Sequence, residues 1–278
     1  MLKPRPAWHI DAKWVCAILL MGLLAVTLPV VALFRLTQMG PATTIIAYTL
    51  VGLTSPQGID SPAGLEELTA KVAATGSETL TVSGVAVTIT RADVQKLSPR
   101  QLRLKVFGAF AAEFYRLGAK GVAASHQASP ADATKLQSDA TALSFFTSQN
   151  HARIGLVAAL LVGLSALLTG LLVLFSYRVG RLVSPGLVLG WMGASGLALA
   201  AVATHLGALP AGTARPASAD GPLALASGFA NYLAPLVVPY LASTYLAVLG
   251  AGLFLLVLAV LVRLVIAVKR RRSPHLPA

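Results

Sequence analysis

The sequence has few charged residues, few acidic residues and a single cysteine. Only 12% of its 278 residues are charged, whereas 56% are hydrophobic and the mean hydropathy is +0.75. So little charge excludes an ordinary soluble domain, and so much apolar content excludes intrinsic disorder. The lone cysteine, Cys16, excludes an intramolecular disulfide and a metal site built on paired cysteines. The composition therefore predicts an integral membrane protein whose parts fold without disulfide bonds.

The sequence also lacks the motifs that mark common enzymes. It contains no G-x-S-x-G, H-E-x-x-H or Walker sequence, which disfavours serine hydrolysis and nucleotide hydrolysis. The carboxylates Glu66 and Glu67 are adjacent on a predicted helix and do not converge, so they form no general acid–base pair. We therefore expect a protein that is not an enzyme and that holds no cofactor and no metal.

Four long apolar runs are present, at residues 14–34, 154–175, 187–206 and 246–268. Each meets the requirement of about 20 residues for crossing about 30 Å of hydrocarbon. None contains an acidic residue, which disfavours an ion-coupled pump acting alone. The first run follows a basic segment, as in a signal peptide, but it is longer than the usual apolar core of such peptides. We predict a mainly α-helical integral membrane protein with four transmembrane helices, the first of them retained.

Three groups of basic residues lie on one side of these four predicted helices. They precede the first run, fill the turn between the second and third runs, and follow the fourth. The positive-inside rule then places both termini in the cytoplasm of a multi-pass cell-membrane protein. Residues 38–153 carry ten Lys/Arg and eight Asp/Glu, so the net charge of +12 is chiefly a topology signal that also attracts anionic lipid heads. Nucleic-acid binding is not expected.

These rules predict nine successive segments, with a small α+β extracytoplasmic domain inserted between the first and second spans. They are a cytoplasmic N-terminus (1–13), transmembrane helix 1 (14–34), the extracytoplasmic α+β domain (35–153), transmembrane helix 2 (154–175), a cytoplasmic turn (176–186), transmembrane helix 3 (187–206), an extracytoplasmic loop with an interfacial or re-entrant helix (207–245), transmembrane helix 4 (246–268) and a basic cytoplasmic tail (269–278).

The predicted outer domain contains a β-hairpin. Two runs of alternating polar and apolar residues flank a Ser-Gly dipeptide, and a two-residue turn pairs Val82 with Val85 and Leu80 with Val87. An isolated hairpin is only marginally stable, so a helix must cover its apolar face. The sequence therefore predicts a hairpin with one buried side.

Two of the predicted helices flank the hairpin along the chain. The first begins at Ser61-Pro62, an N-cap followed by proline, and ends before Gly76. The second is short and is capped by Thr90 and Asp93.

A third helix supplies the cover for the hairpin. Its start is a capping box formed by Ser98 and Gln101, and Gly118 is expected to end it. An aromatic and aliphatic stripe at helical spacing is expected to pack on the sheet rather than form a ligand cage. The stripe consists of Phe107, Phe110, Phe114 and Leu117.

Four segments are harder to assign. Residues 41–53 are rich in strand formers and favour a strand beside the hairpin, with a membrane-surface continuation of the first helix as the alternative. Residues 119–128 are predicted to be a loop, and a helix starting at 129 is predicted to continue into the second span. Residues 223–244 contain one Asn and two Pro, and a fifth span would place the basic tail outside, so a short interfacial or re-entrant helix is predicted.

Small residues recur at four-residue intervals in the second and third spans. Such ridges let helices approach closely, and the short connection between these spans favours packing them as an antiparallel pair; a homodimer face is the alternative. The residues are Gly155, Ala159 and Gly163 in the second span, and Gly186, Gly190, Ala194 and Ala198 in the third.

Two histidines, His151 and His205, are expected near the outer membrane interface. Together they would supply two ligands for a haem or begin a copper site. No further ligand is identifiable in the sequence, so they are interpreted as solvated interfacial residues, with cofactor binding as the alternative.

The segments together predict a non-enzymatic membrane protein whose outer domain binds or senses an envelope partner, as an accessory or scaffold subunit. The expected partners are the lipid bilayer and another membrane or envelope protein, or a second copy of the chain. One alternative is a transport or channel component, based on the proline-containing segment 223–244. The other is a membrane redox or metal-dependent enzyme that uses His151 and His205.

Overall fold

The computed structural model describes residues 8–55, 59–82, 85–125, 143–177, 179–207 and 222–272. That part of the chain is mostly helical, at 86%, with a small two-stranded sheet. In chain order the elements are α1 (Trp8–Leu36), α2 (Met39–Thr54), α3 (Glu66–Thr75), β1 (Ser77–Val82), β2 (Val85–Thr90), α4 (Arg91–Lys96), α5 (Pro99–Ser125), a 3₁₀ turn (Leu143–Phe146), α6 (Ser148–Phe175), α7 (Gly180–Gly207) and α8 (Pro222–Arg272).

The chain divides into two compact units. The helical unit comprises Met1–Leu33, Gly155–Leu206 and Val238–Ala278, and the α+β unit comprises Phe34–Ile154 with Gly207–Val237. Within the described residues, four helices are long and apolar enough to cross a membrane, as the sequence predicts. Their apolar stretches are Asp11–Leu36, Ser148–Phe175, Gly180–Val202 and Ala234–Lys269.

The core of the helical unit lies where α1 packs on α6 and α7. Leu20 of α1 and Leu172 of α6 are fully buried, and Val188 of α7 joins the same cluster. A hydrogen bond of 3.2 Å between the hydroxyls of Thr27 and Ser165 also joins α1 to α6. Large apolar side chains cover much of the outer surface, including Trp191, which is 70% exposed. Such a surface is expected for helices that contact lipid.

The β-hairpin forms with the predicted register. Val82 pairs with Val85 and Leu80 with Val87 in an antiparallel ladder. On β2 the side chains of Val87 and Ile89 are buried, and the residues that alternate with them are exposed. The hairpin therefore has one buried face.

Two apolar clusters stabilise the α+β unit. The first joins the hairpin to α3 and to the N-terminal half of α5 through Val72, Ile89 and Val106. The second joins α2 to the remainder of α5 through Ile46 and Phe114, both fully buried. Helix α5 is shared by both clusters and so connects the two halves of the unit.

The predicted strand at residues 41–53 is wrong, because this segment forms the helix α2. The hydroxyls of Thr43 and Thr44 donate to carbonyls one turn back, which satisfies these polar groups inside a helix. Ile45 and Ile46 are buried, and burial of these side chains outweighs the strand preference of β-branched residues.

The third predicted helix starts as expected and ends later than expected. The capping box is present, since Gln101 N–H donates to Ser98 Oγ at 3.3 Å and Ser98 N–H donates to Gln101 Oε1 at 3.0 Å. Gly118 does not end α5 but bends it, and the helix continues to Ser125. The predicted loop is therefore wrong for residues 119–125. The aromatic stripe was expected to pack on the sheet, but Phe114 packs in the cluster with α2.

The helices on either side of the hairpin are confirmed, with one corrected start. Thr90 and Asp93 form the predicted capping box of α4, and Gly76 ends α3 in a left-handed conformation. Helix α3 begins at Glu66 rather than at Ser61, because the Ser61 hydroxyl accepts a hydrogen bond in a turn before the helix.

Two long segments also differ from expectation. The predicted helix from 129 into the second span is interrupted by the 3₁₀ turn and a bend at Thr147, so α6 begins at Ser148; residues 129–142 lie outside the described residues. At the other end, α8 is one continuous helix that includes both Pro235 and Pro239, not a short helix followed by a separate span. Each proline removes one backbone donor without ending the helix.

Candidate functional site

An open cavity of about 440 Å³ lies in the α+β unit, where the bend of α5 meets the start of α6. Three basic side chains line it: Arg116 and Lys120 from α5, and Arg153 from α6. The other lining residues are small, apolar or polar and uncharged: Leu117, Gly118, Ala119, Ser144, Thr147, Ser148, Gln149 and Asn150. The described lining of this basic cavity thus contains three positive charges and no carboxylate.

The bend at Gly118 positions the two bases of α5. Gly118 has φ of 67° and ψ of 177°, a backbone conformation that residues with a Cβ rarely adopt. One turn later, a Cβ at Gly121 would lie 2.6 Å from the Cβ of Leu117, too close for any other residue without a shift. Glycine at both positions therefore allows the helix to turn between Arg116 and Lys120.

Three side-chain hydrogen bonds hold the start of α6 against this bend. Ser148 Oγ donates to the carbonyl of Arg116 at 3.2 Å, which ties α6 to α5. Asn150 Nδ2 and Thr147 Oγ1 both donate to the carbonyl of Ser144, at 2.9 and 3.0 Å.

Other basic residues of the same unit form ion pairs with carboxylates, unlike those of the basic cavity. Lys105 forms an ion pair of 2.6 Å with Asp93, and Lys71 forms one of 2.9 Å with Glu67. The hydrogen bond from Lys105, with further bonds from Thr90, lowers the pKa of Asp93 to about 2. The hydrogen bond from Lys71 lowers the pKa of Glu67, and the same bond raises the pKa of Lys71.

By contrast, the side chains of Arg116, Lys120 and Arg153 have no hydrogen-bond or ion-pair partner among the described residues. Three unneutralised cations around one cavity produce a local positive potential. The chemistry of this cavity therefore favours an anion.

His151 lies next to the residues of the basic cavity in sequence but packs elsewhere. Its Nδ1 is 3.0 Å from Thr37 Oγ1, and its ring stacks on Phe34 with 4.6 Å between the ring centroids. Thr37 Oγ1 also donates to the carbonyl of Phe34 at 3.1 Å, which uses its single hydrogen. When both bonds are formed, His151 Nδ1–H is therefore the donor and Thr37 Oγ1 the acceptor. These contacts give His151 a role in packing.

The proposed pairing of His151 with His205 stays a prediction, because the side chain of His205 lies outside what the structure describes. Helix α7 carries His205 in its last turn. In the described ranges, no group of three His, Cys, Asp or Glu side chains is placed to hold a metal ion.

The small residues of the third span contact the fourth helix of the bundle. A Cβ at Gly186 would lie 3.1 Å from the carbonyl oxygen of Gly252 in α8, and one at Gly252 would overlap the backbone of Gly190. A Cβ at Gly193 would lie 2.5 Å from the backbone of Leu249. The close approach is therefore between α7 and α8.

Four of the five remaining residues of the predicted ridges are exposed. Ala159 and Gly163 of α6 are exposed, as are Ala194 and Ala198 of α7, and Gly155 is half-buried. No atom lies within 4 Å of a Cβ added at Gly163. The buried glycines of α7 also include Gly193 and Gly196, which lie outside the four-residue repeat.

The sequence analysis did not identify the basic cavity. Arg116 and Lys120 are four residues apart, a spacing that indicates a shared face only in an unbroken helix, and Gly118 bends α5 between them. Arg153 reaches the same place only through the packing of α6 on α5.

Comparisons of this chain with protein-family models, with curated proteins and with solved structures find no match.

Proposed function

We propose that this chain is a non-enzymatic, multi-pass cell-membrane protein whose α+β unit lies on the extracytoplasmic side and binds an envelope partner. In this role the protein is an accessory or scaffold subunit. The observation that carries the proposal is the α+β unit itself, which has two apolar clusters of its own and needs no disulfide. A unit of this kind can present a defined surface to a partner.

The charge pattern supports the extracytoplasmic side. The apolar stretches of α1, α7 and α8 have basic residues at the ends that the positive-inside rule assigns to the cytoplasm, namely Lys13, Arg181 and Lys269. The segment that contains the hairpin has nearly balanced charge, as in outer segments generally. By this rule the hairpin and both apolar clusters face away from the cytoplasm.

The exposed face of the hairpin is the place to test for a partner. Ala86 and Thr88 of β2 are exposed, and they alternate with the buried Val87 and Ile89. A photo-crosslinking amino acid at Thr88 would therefore report on neighbours without disturbing the core. Trp191, which is 70% exposed on α7, provides a matched control position that faces lipid.

The test is crosslinking in native membranes, followed by purification of the tagged chain and quantitative mass spectrometry. We expect one protein, stoichiometric with the chain, to crosslink at Thr88 and not at Trp191. A second copy of the chain at Thr88 would identify the partner as a homo-oligomer. The proposal is wrong if Thr88 and Trp191 capture the same background, or if the chain purifies without any stoichiometric partner.

A further inference from the structure

We propose that the basic cavity lined by Arg116, Lys120 and Arg153 binds a phosphate group. This inference goes beyond the proposed function, because it concerns a small anionic ligand and needs no protein partner. The ligand chemistry is a phosphate ester or free phosphate, and the two possible sources are a phospholipid headgroup and a soluble phosphate compound.

Charge is the first argument. The described lining brings three cations together without a carboxylate, and none of the three has an ion-pair partner in the described part of the chain. Like charges held around one cavity repel one another, and a bound anion removes that repulsion. Two of the three cations are arginines, whose planar guanidinium groups match the oxygens of a phosphate in two parallel hydrogen bonds.

The shape of the cavity is the second argument. Its volume of about 440 Å³ lies within the range of about 300–1,000 Å³ found for small-ligand sites. The polar residues Gln149 and Asn150 line it beside the bases, so neutral donors are available for phosphate oxygens that the cations do not reach. The bend at Gly118 and the bond from Ser148 to the Arg116 carbonyl hold the two walls in place.

The position of Arg153 along the chain is the third argument. It immediately precedes the apolar run that begins at Ile154, within a helix long and apolar enough to cross a membrane. A base at this point lies at the depth where lipid phosphates are found. A phospholipid headgroup is therefore a source that the protein meets directly, and a free phosphate compound would approach from the water side.

The experiment measures binding to the purified full-length chain in a neutral detergent by isothermal titration calorimetry. The three probes are inorganic phosphate, short-chain phosphatidylglycerol and short-chain phosphatidylcholine, in which a tethered cation offsets the phosphate charge. The variants are Arg116→Gln, Lys120→Gln and Arg153→Gln. Lys96→Gln is the matched control, since Lys96 is an exposed lysine at the end of α4, outside the cavity, with no ion-pair partner in the described ranges.

We expect each cavity variant to weaken binding at least about tenfold, because each removes a positive charge and at least one charge-assisted hydrogen bond. Lys96→Gln should bind the anion as the unmodified chain does, and Lys120→Arg should retain binding because it keeps the positive charge. Because the three side chains are exposed, all variants should fold as the unmodified chain does. Their elution volumes in size-exclusion chromatography and their circular dichroism spectra should therefore match those of the unmodified chain.

The outcomes separate the sources and test the site. Binding of inorganic phosphate that depends on the three bases supports a site for a free phosphate compound. Binding of phosphatidylglycerol alone, with the same dependence, supports a headgroup site. The proposal is overturned if neither anion binds at millimolar concentration, or if Lys96→Gln weakens binding as much as Lys120→Gln does.

Discussion

At the scale of single residues, the buried arginine of α5 has the clearest role. Arg103 is only 7% exposed, and its guanidinium donates to the carbonyls of Ile59 and Ala63 in the segment before α3. A buried carbonyl without a donor costs free energy, so this one side chain secures a segment that has no regular secondary structure of its own.

Replacing Arg103 should therefore destabilise the protein. We expect Arg103→Gln to lower the free energy of unfolding by about 2–4 kcal/mol, because the buried carbonyl of Ile59 and the partly buried carbonyl of Ala63 lose their donor. The matched control is Arg91→Gln, since Arg91 also donates to a carbonyl, that of Ala73, but is exposed. Thermal unfolding followed by circular dichroism in detergent would measure both. Equal melting temperatures for the two variants would contradict this role for Arg103.

At the scale of secondary-structure elements, local signals were predicted well and long-range ones were not. The capping box at Thr90, the left-handed Gly76 and the Val82–Val85 register each depend on residues close in sequence, and all are present. The strand formers of α2 gave the wrong answer because their burial against α5 decides the conformation. The basic cavity was not predictable in this way, because Gly118 bends α5 between Arg116 and Lys120 and Arg153 reaches the cavity from another helix.

The cap of α4 gives a pH-dependent contribution to stability. The pKa of Asp93 is about 2 in the folded protein, below the value of about 3.9 for an unfolded aspartate. The charged form is therefore favoured by folding, so the stabilisation is fully present above pH of about 4 and is lost as the pH falls toward about 2. The cause is the hydrogen bond from Lys105 together with those from Thr90.

Asp93→Asn should remove this contribution. We expect the variant to melt at a lower temperature than the unmodified chain at neutral pH, and the gap between the two to close as the pH falls toward about 2. Melting curves by circular dichroism at several pH values would show it. A gap that stays constant over that range would mean that the charge of Asp93 does not stabilise the fold.

The contact of α7 with α8 gives a second prediction at this scale. A Cβ at Gly252 would overlap the backbone of Gly190, whereas one at Gly250 meets nothing within 4 Å. Gly252→Ala should therefore cost about 1–3 kcal/mol through overpacking, and Gly250→Ala should cost little. Melting temperatures of the two variants in the same detergent provide the comparison. If both variants melt alike, the close approach of these helices is not supported.

At the scale of the whole molecule, composition alone predicted the number of apolar helices. Four runs without acidic residues correspond to the four helices of the described residues that are long and apolar enough to span a membrane. The helices that pack together were not predictable from composition, because every face of an apolar helix is apolar. Gly193 is buried and the adjacent Ala194 is exposed, although both lie in the same apolar run. Helix rotation is decided by neighbours that lie far apart in sequence.

The orientation across the membrane can be tested directly. In a Cys16→Ala background, we expect Lys96→Cys to react with a membrane-impermeant maleimide on intact cells, because α4 belongs to the proposed outer unit. Lys269→Cys should react only after permeabilisation, since it follows the last span. Both lysines are exposed, so accessibility within the protein does not limit the reaction. Labelling of Lys269→Cys on intact cells would refute the proposed orientation.

The cluster that joins the hairpin to α3 and α5 also has a consequence for biosynthesis. All its buried residues lie between Leu65 and Val106, so its partners leave the ribosome within a short interval. Contacts so close in sequence close small loops at low entropic cost and form rapidly. The buried residues of this core include none from α6 or a later element, so its folding does not require the second apolar helix to be in place.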